Sequence, residues 1–218
     1  MNNGVIFDMD GVIVLTEAAH WQSWVAAADE RGVTLQYDVF LSCFGRINPD
    51  CIPILFGPGI SAAESHDIAE RKESAFRDII RADMPLAPGL TDMLDALKAK
   101  GIRLAVGSSA PPENVDLVLE AGNLKQYFQA VVDGSQVEHG KPAPDVFLRA
   151  AKLLGLAAEQ CAVIEDAPTG IRAAVAAGCL AVGVATTHRA EELLAVGADH
   201  CFGSLSEVPL ETLIVGKV

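Results

Sequence analysis

Clusters of basic residues are missing from this sequence. No Lys- or Arg-rich run occurs in its 218 residues, and 16 Lys plus Arg stand against 29 Asp plus Glu, a formal net charge of −13. Phosphate backbones are gripped by clustered cations, so a nucleic-acid partner is excluded. An anionic small molecule is not, because a metal and one well-placed lysine can reverse the field inside a site. Long apolar runs are missing too. Nothing approaches the roughly 20 residues that span a bilayer, and no membrane partner is expected. The strand-like Val5-Ile6-Phe7 begins almost at once, without a basic n-region, a long apolar h-region or a cleavage site. Pairing signals for cysteine are also absent. Five cysteines (Cys43, Cys51, Cys161, Cys179, Cys201) are scattered, odd in number and form no CxxC. That argues for buried thiols in a reducing compartment, not for disulfides or a thiolate metal site. The expectation is a soluble cytoplasmic protein. No signal fixes an oligomeric state, and a monomer is the default. What is there reads as globular: 50% hydrophobic and 21% charged residues, in a length suited to one large domain or a core with a smaller insert.

From Gly101 onward short apolar strands alternate with amphipathic helical stretches. Strands are expected over 101–106, 130–132, 161–164, 180–184 and near 200–202. Helices are expected over 89–100, 112–121, 144–155, 168–178 and 189–196. Gly101, Gly122, Gly155 and Gly178 stand where left-handed glycines end helices. Continuous apolar strands alternating with helices predict an α/β fold with a parallel sheet covered on both faces. Residues 17–83 break the rhythm. They carry helical patterns alone (17–31, 36–44, 49–56, 61–82), which predicts an all-helical cap over 16–84 inserted into a core of 1–15 and 85–218.

Open parallel sheets hold their ligands outside the C-terminal ends of their strands. Four polar clusters stand there. In Asp8-Met9-Asp10-Gly11 the carboxylates are two residues apart, which on a strand places them on one face. Neighbouring carboxylates separate in pKa, which suits a nucleophile beside a general acid. Ser108 and Ser109 precede a Pro-led helix opening, where a hydroxyl and backbone N–H groups can cradle a phosphate. Lys141, in the stiff Gly140-Lys141-Pro142-Ala143-Pro144-Asp145 run, can neutralise an anion. Glu165 and Asp166 end an apolar strand, where they either cap the next helix or ligate a hard cation. Taken singly, each cluster also has a structural reading: an Asp-rich turn, a Ser N-cap, a surface lysine, a capping pair.

As an ordered set they resemble the haloacid dehalogenase-like superfamily, in its β-phosphoglucomutase-like and sugar-phosphate phosphatase subgroup. The matching pieces are Phe7-Asp8-Met9-Asp10-Gly11-Val12-Ile13, Val106-Gly107-Ser108-Ser109, 140–147 and 164–171. The resemblance implies a Rossmann-like core with a helical cap after the first strand. It implies Asp8 as the nucleophile that forms an aspartyl-phosphate and Asp10 as general acid/base. It implies Mg²⁺ held by Asp8, the Asp10 carbonyl and Asp166, with Glu165 beside them. Ser108, the Ser109 N–H and Lys141 would stabilise the transferring group. In the cap, Thr16, His20, Trp24 and Lys72 match, and the histidine and lysine of such proteins engage Asp10. The alternatives are that His20 and Trp24 pack on each other and that Lys72 is solvated.

The departures sort the possible activities. Leu15 stands where the subgroup often has an aspartate. A mutase must also grip a second phosphate, and the matching positions are Asn48, Ala110, Pro111 and Pro112, none of them a cation; Arg46 is the nearest substitute. The expectation is an Mg²⁺-dependent phosphatase acting on a small phosphate ester, a sugar or polyol phosphate. A β-phosphoglucomutase-like mutase is the alternative, followed by a non-catalytic phosphoacceptor or binding module.

Overall fold

The computed structural model describes residues 3–215. Its elements run β1 (Gly4–Phe7), α1 (Glu17–Asp29), α2 (Tyr37–Cys43), α3 (Asn48–Phe56), α4 (Ala62–Ala82), α5 (Leu90–Ala99), β2 (Arg103–Gly107), α6 (Pro112–Ala121) and β3 (Ala130–Val132). They continue with α7 (Asp145–Leu153), β4 (Cys161–Glu165), α8 (Pro168–Ala177), β5 (Leu180–Val184), α9 (Ala190–Ala195), β6 (His200–Phe202) and α10 (Leu210–Val215). The six strands form one sheet in the order β3-β2-β1-β4-β5-β6, and every pairing is parallel. This is the Rossmann-like α/β core that the sequence predicts, with four helices inserted between β1 and α5. No described helix is long and apolar enough to cross a membrane.

Strand alternation divides the core cleanly. Val5 and Phe7 face α5 and α6 with Leu94, Leu97, Val115 and Val118, while Ile6 faces α7 and α8 with Phe147, Ala150 and Ile171. A third cluster, built on Trp24, Phe40, Phe44, Ile52 and Ile68, holds α1–α4 together and includes one core residue, Ala167. Helix α4 starts on a reciprocal capping box, with Ser61 Oγ accepting from the Glu64 N–H and the Glu64 carboxylate accepting from the Ser61 N–H.

The register positions the site. Phe7 pairs with Val106 on one side and Ile164 on the other. Asp8, Gly107 and Glu165 therefore stand at one level, with Ser108 and Asp166 one residue further on, where β1 meets strands running to opposite edges. That crevice is where doubly wound sheets bind ligands.

Two local expectations change. Gly122 does not end α6 in the left-handed region: its φ is −78°, and Asn123 takes that conformation at φ 54°. Asn tolerates this region better than other side-chain-bearing residues. Gly122 is required for space instead, since a Cβ there would lie 2.9 Å from the Val118 carbonyl oxygen. Second, β1 stops at Phe7, so strand alternation does not aim Asp8 and Asp10. A tight turn does, in which the Met9 carbonyl accepts from the Ile13 and Val14 N–H groups and the Gly11 N–H donates to Val14.

Candidate active site

Asp8 continues the β1 ladder by donating its N–H to the Ile164 carbonyl. Its Oδ1 lies 2.7 Å from Lys141 Nζ, which is also 2.7 Å from Glu165 Oε1 and sits 4.9 Å from the Phe147 ring centre. Lys141 is fully enclosed, and its two carboxylate partners hold it charged although burial opposes this. Burial pushes the Asp8 carboxyl up to about 7, with Lys141 pulling down against Glu165 and Asp10 pushing up.

Glu165 is committed elsewhere. Its Oε2 accepts from the N–H groups of Asp166 and Ala167, while Oε1 takes Lys141. Asp166 is the opposite case: it is fully buried, and neither carboxylate oxygen is in hydrogen-bond geometry with a protein donor. Burial, then the charges of Glu165 and Asp8, raise its carboxyl well above the ordinary range. Buried orphaned carboxylates are rare unless something charged completes them. Oxygens of Asp8, Glu165 and Asp166 lie within 4.8 Å of one another, an all-oxygen donor set that fits a hard divalent cation.

Gly11 makes room for this set. Its φ is +80°, and a Cβ there would fall 1.8 Å from Asp166 Oδ2. Gly11→Ala is therefore expected to lose about 2–4 kcal/mol of stability and to weaken cation binding. Urea unfolding and a Mg²⁺ titration followed by melting temperature check both. A variant as stable as the parent would show that the turn relaxes freely.

Asp10 is gripped by residues at and beyond the start of α1. Thr16 Oγ1 donates to Asp10 Oδ1 at 2.6 Å, leaving the N-terminus of α1 without a side-chain cap. His20 Nε2 lies 3.0 Å from the same oxygen, and His20 Nδ1 lies 2.8 Å from Lys72 Nζ. An ammonium can only donate, so Nδ1 accepts and Nε2 carries the hydrogen toward Asp10. Burial would raise the Asp10 carboxyl, but His20, Thr16 and Lys72 together hold it below its ordinary value. The imidazole stacks on Phe76 with centroids 4.0 Å apart, and Phe44 meets it edge-on.

A cavity of about 530 Å³ of empty space, partly open to solvent, joins these groups. Asp8, Asp10, Ser108 and Ser109 line one side; His20, Trp24, Arg46 and Lys72 line the other. Thus His20 and Lys72 reach the site, and His20 stacks on Phe76 in place of packing on Trp24. The Trp24 ring instead lies under Lys72, 5.2 Å from its Nζ. Arg46 borders the cavity with its Nε buried and unpartnered. Ser108 Oγ accepts from the Ala110 N–H. The Ser109 hydroxyl crosses to the cap, donating to the Gly45 carbonyl at 2.8 Å. Sequence reasoning missed Phe76, Asn114 and Glu73. Glu73, beside Lys72, accepts hydrogen bonds from Lys72, Asn48 and Asn114.

A family model for haloacid dehalogenase-like hydrolases matches residues 3–178. The chain belongs to this family. Among its relatives, a β-phosphoglucomutase of Bacillus subtilis is 32% identical over 216 residues, covering 96% of this chain and 92% of that protein. The fructose-1-phosphate phosphatase YqaB of Escherichia coli is 35% identical over 185 residues, covering 83% and 95%. A solved β-phosphoglucomutase from Clostridium difficile superposes with a TM-score of 0.88 at 26% identity, covering 97% and 95%. This haloacid dehalogenase-like chain is therefore an enzyme of phosphoric monoester chemistry, with a sugar phosphatase and phosphomutases among its relatives.

Proposed function

We propose that this enzyme is a phosphatase that hydrolyses a small sugar or polyol phosphate, with Asp8 as nucleophile and Asp10 as general acid/base. The observation that carries the reading is the contrast between the two carboxylates across one cavity. Asp8 is anchored to Lys141 in the core, while Asp10 is held by Thr16 and by a histidine whose orientation Lys72 dictates.

The carboxylate of Asp8 attacks phosphorus and the ester oxygen departs, leaving an aspartyl-phosphate. Asp10, ionised in the metal-free site, must take up a proton as substrate binds; it then protonates the departing oxygen and, as a carboxylate again, removes a proton from the water that hydrolyses the intermediate. His20 Nε2–H and Thr16 steady the carboxylate between these steps. Ser108, the Ser109 N–H and Lys141 face the charge on the transferring group. Asp8, the Asp10 carbonyl and Asp166, with Glu165 in support, would hold Mg²⁺. That ion supplies charge neutralisation to the phosphoryl oxygens.

Hydrolysis is favoured over mutase chemistry by the opposite wall. Ala110 and Pro111 line the cavity without a side-chain donor, and the Asn48 amide nitrogen is already bound to Glu73. At these positions a bisphosphate intermediate finds no cation, and Arg46, whose Nε is buried without a hydrogen-bond partner, is the nearest substitute. A phosphate-release screen over sugar and polyol phosphates, phosphoglycolate and nucleotides, with and without EDTA, tests the reading. Mg²⁺-dependent release from a sugar or polyol phosphate is expected. With β-glucose 1-phosphate and a bisphosphate primer, free phosphate should outpace isomerised product; the reverse would select the mutase.

A further inference from the structure

Two cysteines that the sequence leaves scattered meet in the fold. Cys43 closes α2 and Cys51 lies on α3, and both are buried on the wall of the reaction cavity. The Cys51 thiol turns back toward Cys43, its Sγ 3.4 Å from the Cys43 carbonyl oxygen and 3.9 Å from that of Arg46. Cys43 Sγ lies 3.3 Å from the Val39 carbonyl oxygen, with the Cys51 thiol in hydrogen-bond reach. Neither sulfur takes part in the chemistry above. The Cys51 thiol, helped by Ser42 and the nearby charge of Arg46, draws the Cys43 thiol down to about 7 against the effect of burial. Burial instead pushes Cys161 up to about 11 and raises Cys201. The thiolate is the reactive form of cysteine, and an adjacent second thiol is what resolves an oxidised sulfur into a disulfide.

The turn between the two cysteines carries parts of the site. Phe44 meets His20 edge-on, the Gly45 carbonyl accepts from the Ser109 hydroxyl, and Arg46 borders the cavity. The Phe44 carbonyl also accepts from Thr169 Oγ1 at 3.1 Å. Gly45 stands at φ +82°, and a Cβ there would lie 2.9 Å from Thr169 Oγ1, so the turn has little slack against the core. A disulfide bond of about 2.05 Å is far shorter than a hydrogen-bonded contact between sulfurs. Closing it therefore drags this turn against its core partners.

We infer that Cys43 and Cys51 form a modification site, a dithiol that a hydroperoxide converts into a disulfide, which distorts the turn between α2 and α3 and disables the reaction cavity. The Cys43 thiolate attacks one peroxide oxygen: an S–O bond forms, the O–O bond breaks, and the other oxygen leaves as alcohol or water. The Cys51 sulfur then attacks the Cys43 sulfur. The S–S bond forms, the S–O bond breaks, and the hydroxyl leaves as water with the Cys51 proton. Two thiols are thereby oxidised by two electrons in total, and one hydroperoxide is reduced. Hydrogen peroxide added to the full chain, followed by peptide mapping with mass spectrometry, tests the covalent change without turnover. The expected product is a peptide pair linked through Cys43 and Cys51 and lighter by two hydrogens. Thiols counted after unfolding should fall from five to three, and dithiothreitol should restore them. Cys51→Ser keeps a hydroxyl for the Cys43 carbonyl but lacks the resolving sulfur, so Cys43 should then be trapped by dimedone as a sulfenic acid. Phosphate release by the oxidised wild type should drop about tenfold or more and return with dithiothreitol. Oxidation that leaves Cys43 and Cys51 unlinked, or that links other cysteines instead, overturns the inference, and a linked pair with unchanged phosphate release overturns its effect on the cavity. A chain that links as expected but releases no phosphate before oxidation would refute the hydrolase reading alone.

Discussion

Asp8→Asn is expected to abolish phosphate release, by about 10⁴-fold or more, while leaving the fold in place. The amide matches the carboxylate in shape, and its oxygen can still accept from Lys141, which keeps its second partner, Glu165. What disappears is the proposed nucleophile. The substitution also removes one negative charge from a cluster whose members raise one another's pKa, so stability without metal should be unchanged or slightly higher at neutral pH. Mg²⁺-dependent phosphate release, read beside thermal melts, separates chemistry from folding. Full turnover in the variant would remove Asp8 from the role assigned to it.

The sheet was legible because its strands are apolar on both faces, and a run such as 161–164 admits few other readings. Helix ends were legible where a left-handed glycine is obligatory, as at Gly178 with φ 83°. They were not where Asn123 does the same work. The core clusters were legible because each is a short run placed at a strand end. The cap side of the site was not, because its groups meet through tertiary packing across long separations, as Lys72 and His20 do over 52 residues. One signal was available. Ile68, Lys72, Phe76 and Ile80 fall at four-residue spacing on α4 and are all buried, so an ionic Lys72-Glu73 pair on that stripe required a polar cavity beneath it. Likewise, nothing in the sequence says that Ser109 spends its hydroxyl on the Gly45 carbonyl.

Lys141→Met tests the electrostatics of the core directly. Lys141 is the cation enclosed with Asp8 and Glu165, and Asp166 lies in the same cluster. Methionine fills a similar volume without charge, so three buried carboxylates lose their counter-ion. Breaking a buried pair from one side typically costs about 3–5 kcal/mol. The pH dependence gives the mechanism its signature. The Asp8 carboxyl stands at about 7 in the folded protein against an ordinary value of 3.8. Between those values the folded state holds a proton that the unfolded chain has lost. Stability of the metal-free protein therefore falls as pH rises through that window. Removing Lys141 takes away the attraction that restrains this carboxyl, so the window widens upward. The destabilisation should be greatest at pH 8 and shrink toward pH 5, where the Asp8 carboxyl is protonated in the folded state. Mg²⁺ should restore part of the loss at pH 8 and little at pH 5. Urea unfolding at the two pH values, with and without Mg²⁺, measures all of this. A loss under 1 kcal/mol, or one that does not vary with pH, would mean that Lys141 does not balance these carboxylates.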